Sequence, residues 1–425
     1  MRMRERNRNR DARLRRSRVR IPLSKPDIGE REIEYVTRVL RNGQLSLGPA
    51  VEEFEARFAA YVGTRHAVAT NSGTSALHVC VRALGIGAED EVLTTSFSFP
   101  ASVNCLLYEQ ALPSFVDIDP ATLNFDPAEA RETLKREYVW DSTRRRALNR
   151  RSGRMLKAVL PVHVFGLPCE MGPILEIARE FNLFVIEDAC EAIGTEWGGR
   201  RVGTFGNAAA FAFYPNKQMT TAEGGMIVTD DSDVASRCRS LRNQGRGEDG
   251  EWLLHVRLGY NYRLSDIHCA LGLAQLERID ERLFARERLA ALYSDKLGGI
   301  PDIVLPASTP KGKRSWFVYP IRLCGSAPLA LRDRLMAGLQ DRGIGNRPYF
   351  TAIHRQPYFQ KICLSSNHPL PQTELASQSC VALPFFSSMT EGEVHDVCTA
   401  VRAILDEARR TTAAIREPEA MRATA

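Results

Sequence analysis

The sequence predicts an α/β fold, with a mainly parallel sheet between helices and a smaller α+β domain after it. Three observations carry this. Short β-branched runs alternate with helical stretches of roughly 10 to 15 residues through the first half of the chain, the pattern of βαβ units. The texture then changes after Asn261, where one long helical pattern begins and leads to a second, sparser set of strands and helices. Finally, 425 residues at 44% hydrophobic and 25% charged make an ordinary globular composition, long enough for one large domain and an appendage.

Taken in order, "GEREIEYVTRVLRNG" (29–43) has helical spacing and a stop signal at Gly43. "HAVAT" (66–70) reads as a strand, "NSGT" as a polar turn, and "SALHVCVRALG" as the helix after it. The runs "EVLTT" (91–95), "PSFVDI" (113–118), "KAVLPV" (157–162) and "LFVIED" (183–188) are strands separated by helical stretches. "AAAFAFY" (208–214) and "GGMIVTD" (224–230) add two more. "RLSDIHCALGLAQLERIDERLFARERLAALYSDKL" is expected as a single connector helix, followed by the strand "SWFVYPIRL" and helices at "PLALRDRLMAGLQDRG" and "TEGEVHDVCTAVRAILDEARR". The expected division is a large domain over 21–265, a connector and small domain over 266–410, and tails at 1–20 and 411–425, the last of them frayed.

The charge is concentrated at one end. Residues 1–20 hold ten Arg against Glu5 and Asp11, a net of +8, so the chain's total of +6 leaves −2 for the rest. A body without excess basic charge does not read as a nucleic-acid-binding globule. The tail has no apolar stretch of the kind a secretory signal needs and is expected to be disordered. No apolar run approaches the ~18 residues of a membrane span, so neither nucleic acid nor membrane is expected as a partner. The ten cysteines are spread singly, with no CxxC pair, which fits reduced thiols in a cytoplasmic protein and gives no metal motif. "DSTRRRALNRRSGR" (141–154), with six Arg, reads as a solvated loop.

In an open α/β sheet, ligands bind beyond the carboxyl ends of the strands. Several chemically loaded stretches fall there. "VATNSGTSAL" is strand, glycine turn and helix start, so Thr74 and Ser75 would offer N–H groups and hydroxyls to a phosphate. "TSFSFPAS" offers Phe99 as a ring to stack on a flat ligand, while Phe97 reads as core. Asp188 closes an apolar strand, where a carboxylate needs a partner such as a protonated pyridine nitrogen, or else caps the next helix. In "FAFYPNKQMTTAEGGMIVTD" one lysine, Lys217, stands between an aromatic strand and a polar turn, the setting of an amine that must form an imine. A phosphate cradle, a stacking ring, a buried carboxylate and an imine-forming lysine together meet the requirements of pyridoxal phosphate.

The chain resembles the DegT family of sugar aminotransferases over about residues 21–410. The matching stretches include "SLGPAVEEFE", "NSGTSALH", "PVHVFGLPCEM", "IEDACEAIG", "FAFYPNKQMTTAEGG", "NQGR", "GYNYRLSDIHCALGLAQLERID" and "RPYFTAIHRQPYF". The resemblance implies an aspartate-aminotransferase-like architecture (fold type I) and pyridoxal 5'-phosphate as cofactor. It implies that Lys217 holds the cofactor as an internal aldimine and moves the proton, and that Asp188 pairs with the ring nitrogen. Glu191, where relatives usually have Gln, would lie near the phenolic oxygen, protonated or hydrogen-bonded away. Phe99 would stack on the ring, and Gly73, Thr74 and Ser75 would bind the phosphate. Asn261 would reach the neighbouring subunit's cofactor, which makes a homodimer with shared sites the expected assembly.

Two departures stand out. Ala212 replaces a serine whose hydroxyl helps hold the phosphate in many relatives, and Ala222 stands where many have glycine. The implied activity is transfer of an amino group, from L-glutamate, to the ketone of a nucleotide-linked ketosugar for polysaccharide or antibiotic sugars. "SLGPAVEEFE" and "PNKQMTT" look most like 4-aminotransferases of the GDP-perosamine-synthase type. A pyridoxal-phosphate-dependent sugar dehydratase is the alternative within the family, but those relatives carry His where this chain has Lys217. A non-catalytic regulator that kept the fold is the other, and the joint presence of Lys217, Asp188 and Asn261 speaks against it.

Overall fold

The computed structural model describes residues 19–247, 254–309, 311–362 and 368–423, with 412–423 as backbone. Most of the basic tail therefore lies outside the described residues. The strands run β1 (His66–Thr70), β2 (Asp90–Thr95), β3 (Leu112–Val116), β4 (Tyr138–Asp141), β5 (Arg146–Asn149), β6 (Met155–Leu160), β7 (Phe184–Asp188), β8 (Glu196–Trp197), β9 (Arg200–Arg201), β10 (Ala208–Ala212), β11 (Gly225–Thr229), β12 (Ile303–Val304), β13 (Gly312–Lys313), β14 (Tyr319–Leu323) and β15 (Cys380–Leu383).

The main sheet has the order β1-β11-β10-β7-β6-β2-β3. Every pairing from β10 to β3 is parallel, and β11 runs antiparallel to both neighbours. Period-2 alternation sorts its side chains into two layers. Val68, Ala158, Leu160, Ile186, Ala208, Ala210 and Ile227 face helices Gly73–Ala83, Ala101–Leu107 and Ser232–Arg242. On the opposite face, Ala67, Ala69, Ala209, Phe211, Met226 and Val228 meet helices Glu30–Asn42, Pro49–Val62 and Asp266–Glu277. Further along that same face, Leu93, Val116, Leu156, Val159 and Val185 meet helices Pro127–Glu137 and Met171–Glu180. Both faces are covered, which is why these strands read as near-continuous apolar runs.

The connector predicted as one helix is two, Asp266–Glu277 and Ile279–Leu297, broken at Arg278 (φ −117°, ψ 20°). The first buries Cys269, Ala270 and Leu273 in the large core, whereas the second places Leu289, Tyr293 and Leu297 in another. The break lets one amphipathic run serve two cores. That second core gathers Tyr319, Ile321, Val381 and Leu383 of the antiparallel sheet β12-β14-β15 with helices Pro328–Asp341 and Glu391–Ala423. Ile21 joins it by bridging to Ile344, so the chain's first described residues pack with its last third. The terminal helix continues past Arg410, where fraying was expected, to Ala423. A small sheet β13-β8-β9 returns the later chain to the large domain.

The Arg-rich run is also more ordered than expected. It contributes to an antiparallel hairpin of β4 and β5, joined to the main sheet where Leu148 faces Met155, the first residue of β6. Arg144 pairs with Asp141 at 2.6 Å, and Arg154 donates to the Gln110 carbonyl. The run thus sits at the amino ends of the parallel strands, away from the ligand end of the sheet.

Candidate active site

Asp188 is the last residue of β7, with the parity of Ile186, so it faces the helices Gly73–Ala83 and Ala101–Leu107. It is buried, and both of its oxygens have donors. The Ser102 hydroxyl donates to one at 2.7 Å, and the Cys190 N–H donates to the other at 3.1 Å. Ser98 lies 2.8 Å from Ser102, extending the chain of hydroxyls. Each carboxylate oxygen can accept more than one hydrogen bond, so room for a cationic partner remains. Glu187, one residue earlier, points to the opposite face. Its carboxylate accepts from the N–H groups of Gly203, Phe205 and Gly206 at 2.8 Å each, and His163 Nε2 lies 3.2 Å away. It is fully engaged in holding the turn that enters β10.

The helix Gly73–Ala83 begins at the Ser72 cap, whose hydroxyl accepts from Ser75 N–H. Ser72 O takes the Ala76 N–H, which leaves those of Gly73 and Thr74 at the helix mouth, where an anion is favoured. The mouth is closely built. A Cβ on Gly73 would lie 2.6 Å from the Ala212 Cβ, and one on Gly225 would lie 2.4 Å from Ser72 O. Ala212 therefore stands beside the helix start, where a serine hydroxyl would also reach it.

Lys217 follows Phe213 and a turn closed by its own N–H to Tyr214 O at 2.9 Å. Its amine lies 3.5 Å from Glu191 Oε1 and 3.9 Å from the centre of the Phe317 ring. The turn beyond it is held by Thr220 and Thr221, which bond to the Phe213 carbonyl through hydroxyl and N–H. Ala222 there has φ +67°, the left-handed region, which accounts for the glycine of the related pattern. The strain of a Cβ costs about 1–2 kcal/mol, and the Ala222 N–H to Thr220 Oγ1 bond at 2.9 Å offsets part of it.

Glu191 Oε2 accepts from Phe165 N–H at 2.9 Å. Burial pushes its carboxyl above the ordinary range, and the Lys217 ammonium opposes that. Expected as protonated or hydrogen-bonded away, Glu191 has one oxygen on a backbone donor and the other toward the lysine. Phe99 is 63% exposed at the turn before helix Ala101–Leu107. Phe97 is buried edge-to-face against Phe165 and Phe350, as a core ring should be. Asn261 is exposed, and its carbonyl lies 3.5 Å from Asn71 Nδ2, at the turn before the helix mouth.

Of the wall supplied by the second half of the chain, sequence reasoning points to the stretch 346–359 as pocket-shaping but misses Phe317 and gives Tyr349 no role of its own. Phe317 precedes β14 and read only as strand core. Tyr349 lies in "NRPYF", where it stacks 5.0 Å from Phe350, nearly parallel, and 6.4 Å from Phe165. Burial and the nearby Glu191 carboxylate push its phenol up. Ser102 was within a quoted stretch but carried no signal of its own.

A buried carboxylate at a strand end, a lysine among aromatic rings and a helix mouth beside Ala212 are a donor set that fits pyridoxal phosphate. Together with the order β1-β11-β10-β7-β6-β2-β3, in which β11 alone runs antiparallel, they define a fold type I pyridoxal-phosphate enzyme. Residues 26–402 match the DegT/DnrJ/EryC1/StrS aminotransferase family, and the chain belongs to it. It is 37% identical over 388 residues to GDP-perosamine synthase of Caulobacter vibrioides, covering 91% of this chain and 98% of that one. It is 36% identical over 395 residues to the spore coat polysaccharide biosynthesis protein SpsC of Bacillus subtilis (91% and 97% covered). Among solved structures it is similar to Helicobacter pylori PseC, an aminotransferase in pseudoaminic acid biosynthesis. The TM-score is 0.82 at 26% identity, over 91% of this chain and 99% of that one. The chain is a pyridoxal-phosphate-dependent transaminase of the sugar-aminotransferase family.

Proposed function

We propose that this enzyme transfers an amino group from L-glutamate to the ketone carbon of a nucleotide-linked ketosugar, as a cytoplasmic homodimer with shared sites. The observation that carries the reading is the placement of the Lys217 amine between Glu191 and Phe317, in the same site as a buried Asp188 with fixed donors. Similarity to a GDP-perosamine synthase supports the substrate class.

Bound pyridoxal phosphate supplies an electron sink for the carbon that loses its proton. The chain's own residues do the rest. Gly73 and Thr74 N–H groups, with the Thr74 and Ser75 hydroxyls, would hold the phosphate at the helix mouth. Asp188 would keep a proton on the ring nitrogen, its carboxylate aimed by the Ser102 hydroxyl and Cys190 N–H. Phe99 would cover one face of the ring, and Glu191 would lie toward the phenolic oxygen. Phe165, Phe317 and Tyr349 exclude water around the amine. Lys217 Nζ takes the proton from the donor's Cα and returns it to the acceptor carbon in the reverse half-reaction.

Mixing the protein with L-glutamate and a panel of nucleotide ketosugars tests this directly. The expected result is an aminated sugar nucleotide by mass, formed one-for-one with 2-oxoglutarate. Amination of free ketosugars or simple keto acids alone would overturn the substrate class.

The shared site rests on Asn261 and its exposed surroundings. Leu254, Val256 and Leu258 are 42%, 49% and 73% exposed just before it, an apolar strip suited to a second copy of this chain. Lys217→Ala and Asn261→Ala chains, each nearly inactive alone, are expected to recover activity when subunits exchange. A mixed dimer then holds one intact site, about half the parental level. If both residues of a site came from one chain, every site would keep a lesion, and verified exchange without recovery would exclude sharing.

A further inference from the structure

Arg286, on helix Ile279–Leu297, is a buried cation with only 3% of its surface exposed. Among the described residues no carboxylate pairs with it, whereas Arg282, one turn earlier, pairs with Glu32 at 2.8 Å. Its donors go instead to four oxygens around Lys217. Nη2 donates to Lys217 O at 3.1 Å, and Nη1 donates to Phe317 O at 3.1 Å and to Trp316 O at 3.3 Å. Nε donates to Ser387 Oγ at 3.1 Å. Burial and the Arg282 guanidinium push it down to about 10, so it is still charged at neutral pH.

A buried charge without a counter-ion is costly, and apolar residues of similar volume often serve stability as well or better. What an apolar residue lacks is a rigid fork of donors. That fork joins the main chain of Lys217, from the large domain, to the main chain of Phe317, beyond the connector. Phe317 is also the residue whose ring lies 3.9 Å from the Lys217 amine. On the other side of the lysine, Gln218 Nε2 donates to Glu191 O at 2.7 Å and to Ser315 O at 3.2 Å. Arg286 therefore fixes, through backbone, the distance between the amine and the ring beneath it.

We propose that Arg286 is a positioning residue of the reaction, a clasp that sets where the Lys217 amine stands relative to Phe317 and hence to the reacting carbon. The inference rests on Lys217 being the reacting amine. Displacement of a reacting group by about an ångström can cost on the order of a hundredfold in rate, while substrate-binding surfaces away from the clasp are untouched.

The test compares holoenzyme carrying Arg286→Met or Arg286→Lys with the parent. The lysine variant keeps the charge and is the one expected to fold readily, but a point ammonium cannot span the Lys217 and Phe317 carbonyls and the Ser387 hydroxyl together. We expect kcat to fall roughly a hundredfold in the methionine variant and roughly tenfold in the lysine variant, with both KM values within about threefold. The visible circular dichroism of the bound cofactor, which reports its orientation, is expected to change in both. Unchanged kcat overturns the proposal. So does a loss of kcat with an unaltered dichroic band and a lowered melting temperature, since a merely structural role would produce that. Should the methionine variant not fold, the lysine variant decides. A parent enzyme with no visible cofactor band would instead refute Lys217 as the cofactor's attachment point.

Discussion

Lys217→Ala is expected to reduce turnover by roughly 10⁴-fold or more, because in the proposed mechanism it removes both the attachment point and the group that moves the proton. The amine stands alone in its role. Beside it the structure places the Glu191 carboxylate and the Phe317 ring, with the Tyr349 ring 6.3 Å from that of Phe317, and none of these can form an imine. The core should be unaffected, since the side chain contributes little buried apolar surface and its main-chain bonds to Tyr214 and Arg286 remain. Single-turnover assays with excess enzyme, followed by mass, provide the check. Turnover within tenfold of the parent would remove Lys217 from the chemistry.

Asp188→Asn is expected to leave the fold and part of the cofactor affinity while removing most activity. An amide is close to isosteric: its oxygen can still accept from Cys190 N–H, and its NH2 can donate to the Ser102 hydroxyl, which then turns to accept. What it lacks is the charge that, on the proposed reading, holds a proton on the ring nitrogen. Losing one charge-assisted hydrogen bond, ~1.5–3 kcal/mol, corresponds to roughly ten- to a hundredfold in rate, with the loss of the electron sink added to it. Steady-state kcat at saturating cofactor is the measurement. Full activity would show the pairing to be wrong, and Glu187 could not take over without breaking its bonds to Gly203, Phe205 and Gly206.

Much of this was legible in the chain because several signals were local. The strand "HAVAT", its polar turn and the helix after it are contiguous, so the Gly73–Ser75 mouth follows from about twenty residues. Asp188 announced itself as a charge ending an apolar run. The wall of the site was legible only as the stretch 346–359, because Phe317 and Tyr349 arrive from a hundred residues or more beyond Lys217 and their ring contacts leave no periodicity. Arg286 was equally hidden: on a helix rich in charges it looks like solvent-facing surface, and only burial against main-chain carbonyls distinguishes it. The connector misled for a related reason. Its helical periodicity is unbroken in sequence, and the kink at Arg278 follows from the two cores its halves must enter.

The adjacent acids of β7 have a consequence for how the strand finds its place. "FVIED" is apolar on both faces, so hydrophobicity alone does not distinguish one alignment from the next, and a slip of a single residue would cost little there. Glu187 removes that freedom. Only one alignment presents its carboxyl group to the three N–H groups at residues 203–206 and to His163, and every other leaves a polar group without these partners against oil. Glu187 is thus the key that indexes the strand, and Asp188 is carried to the reacting side by its neighbour's lock. A carboxylate that never meets the cofactor decides which way the next one looks.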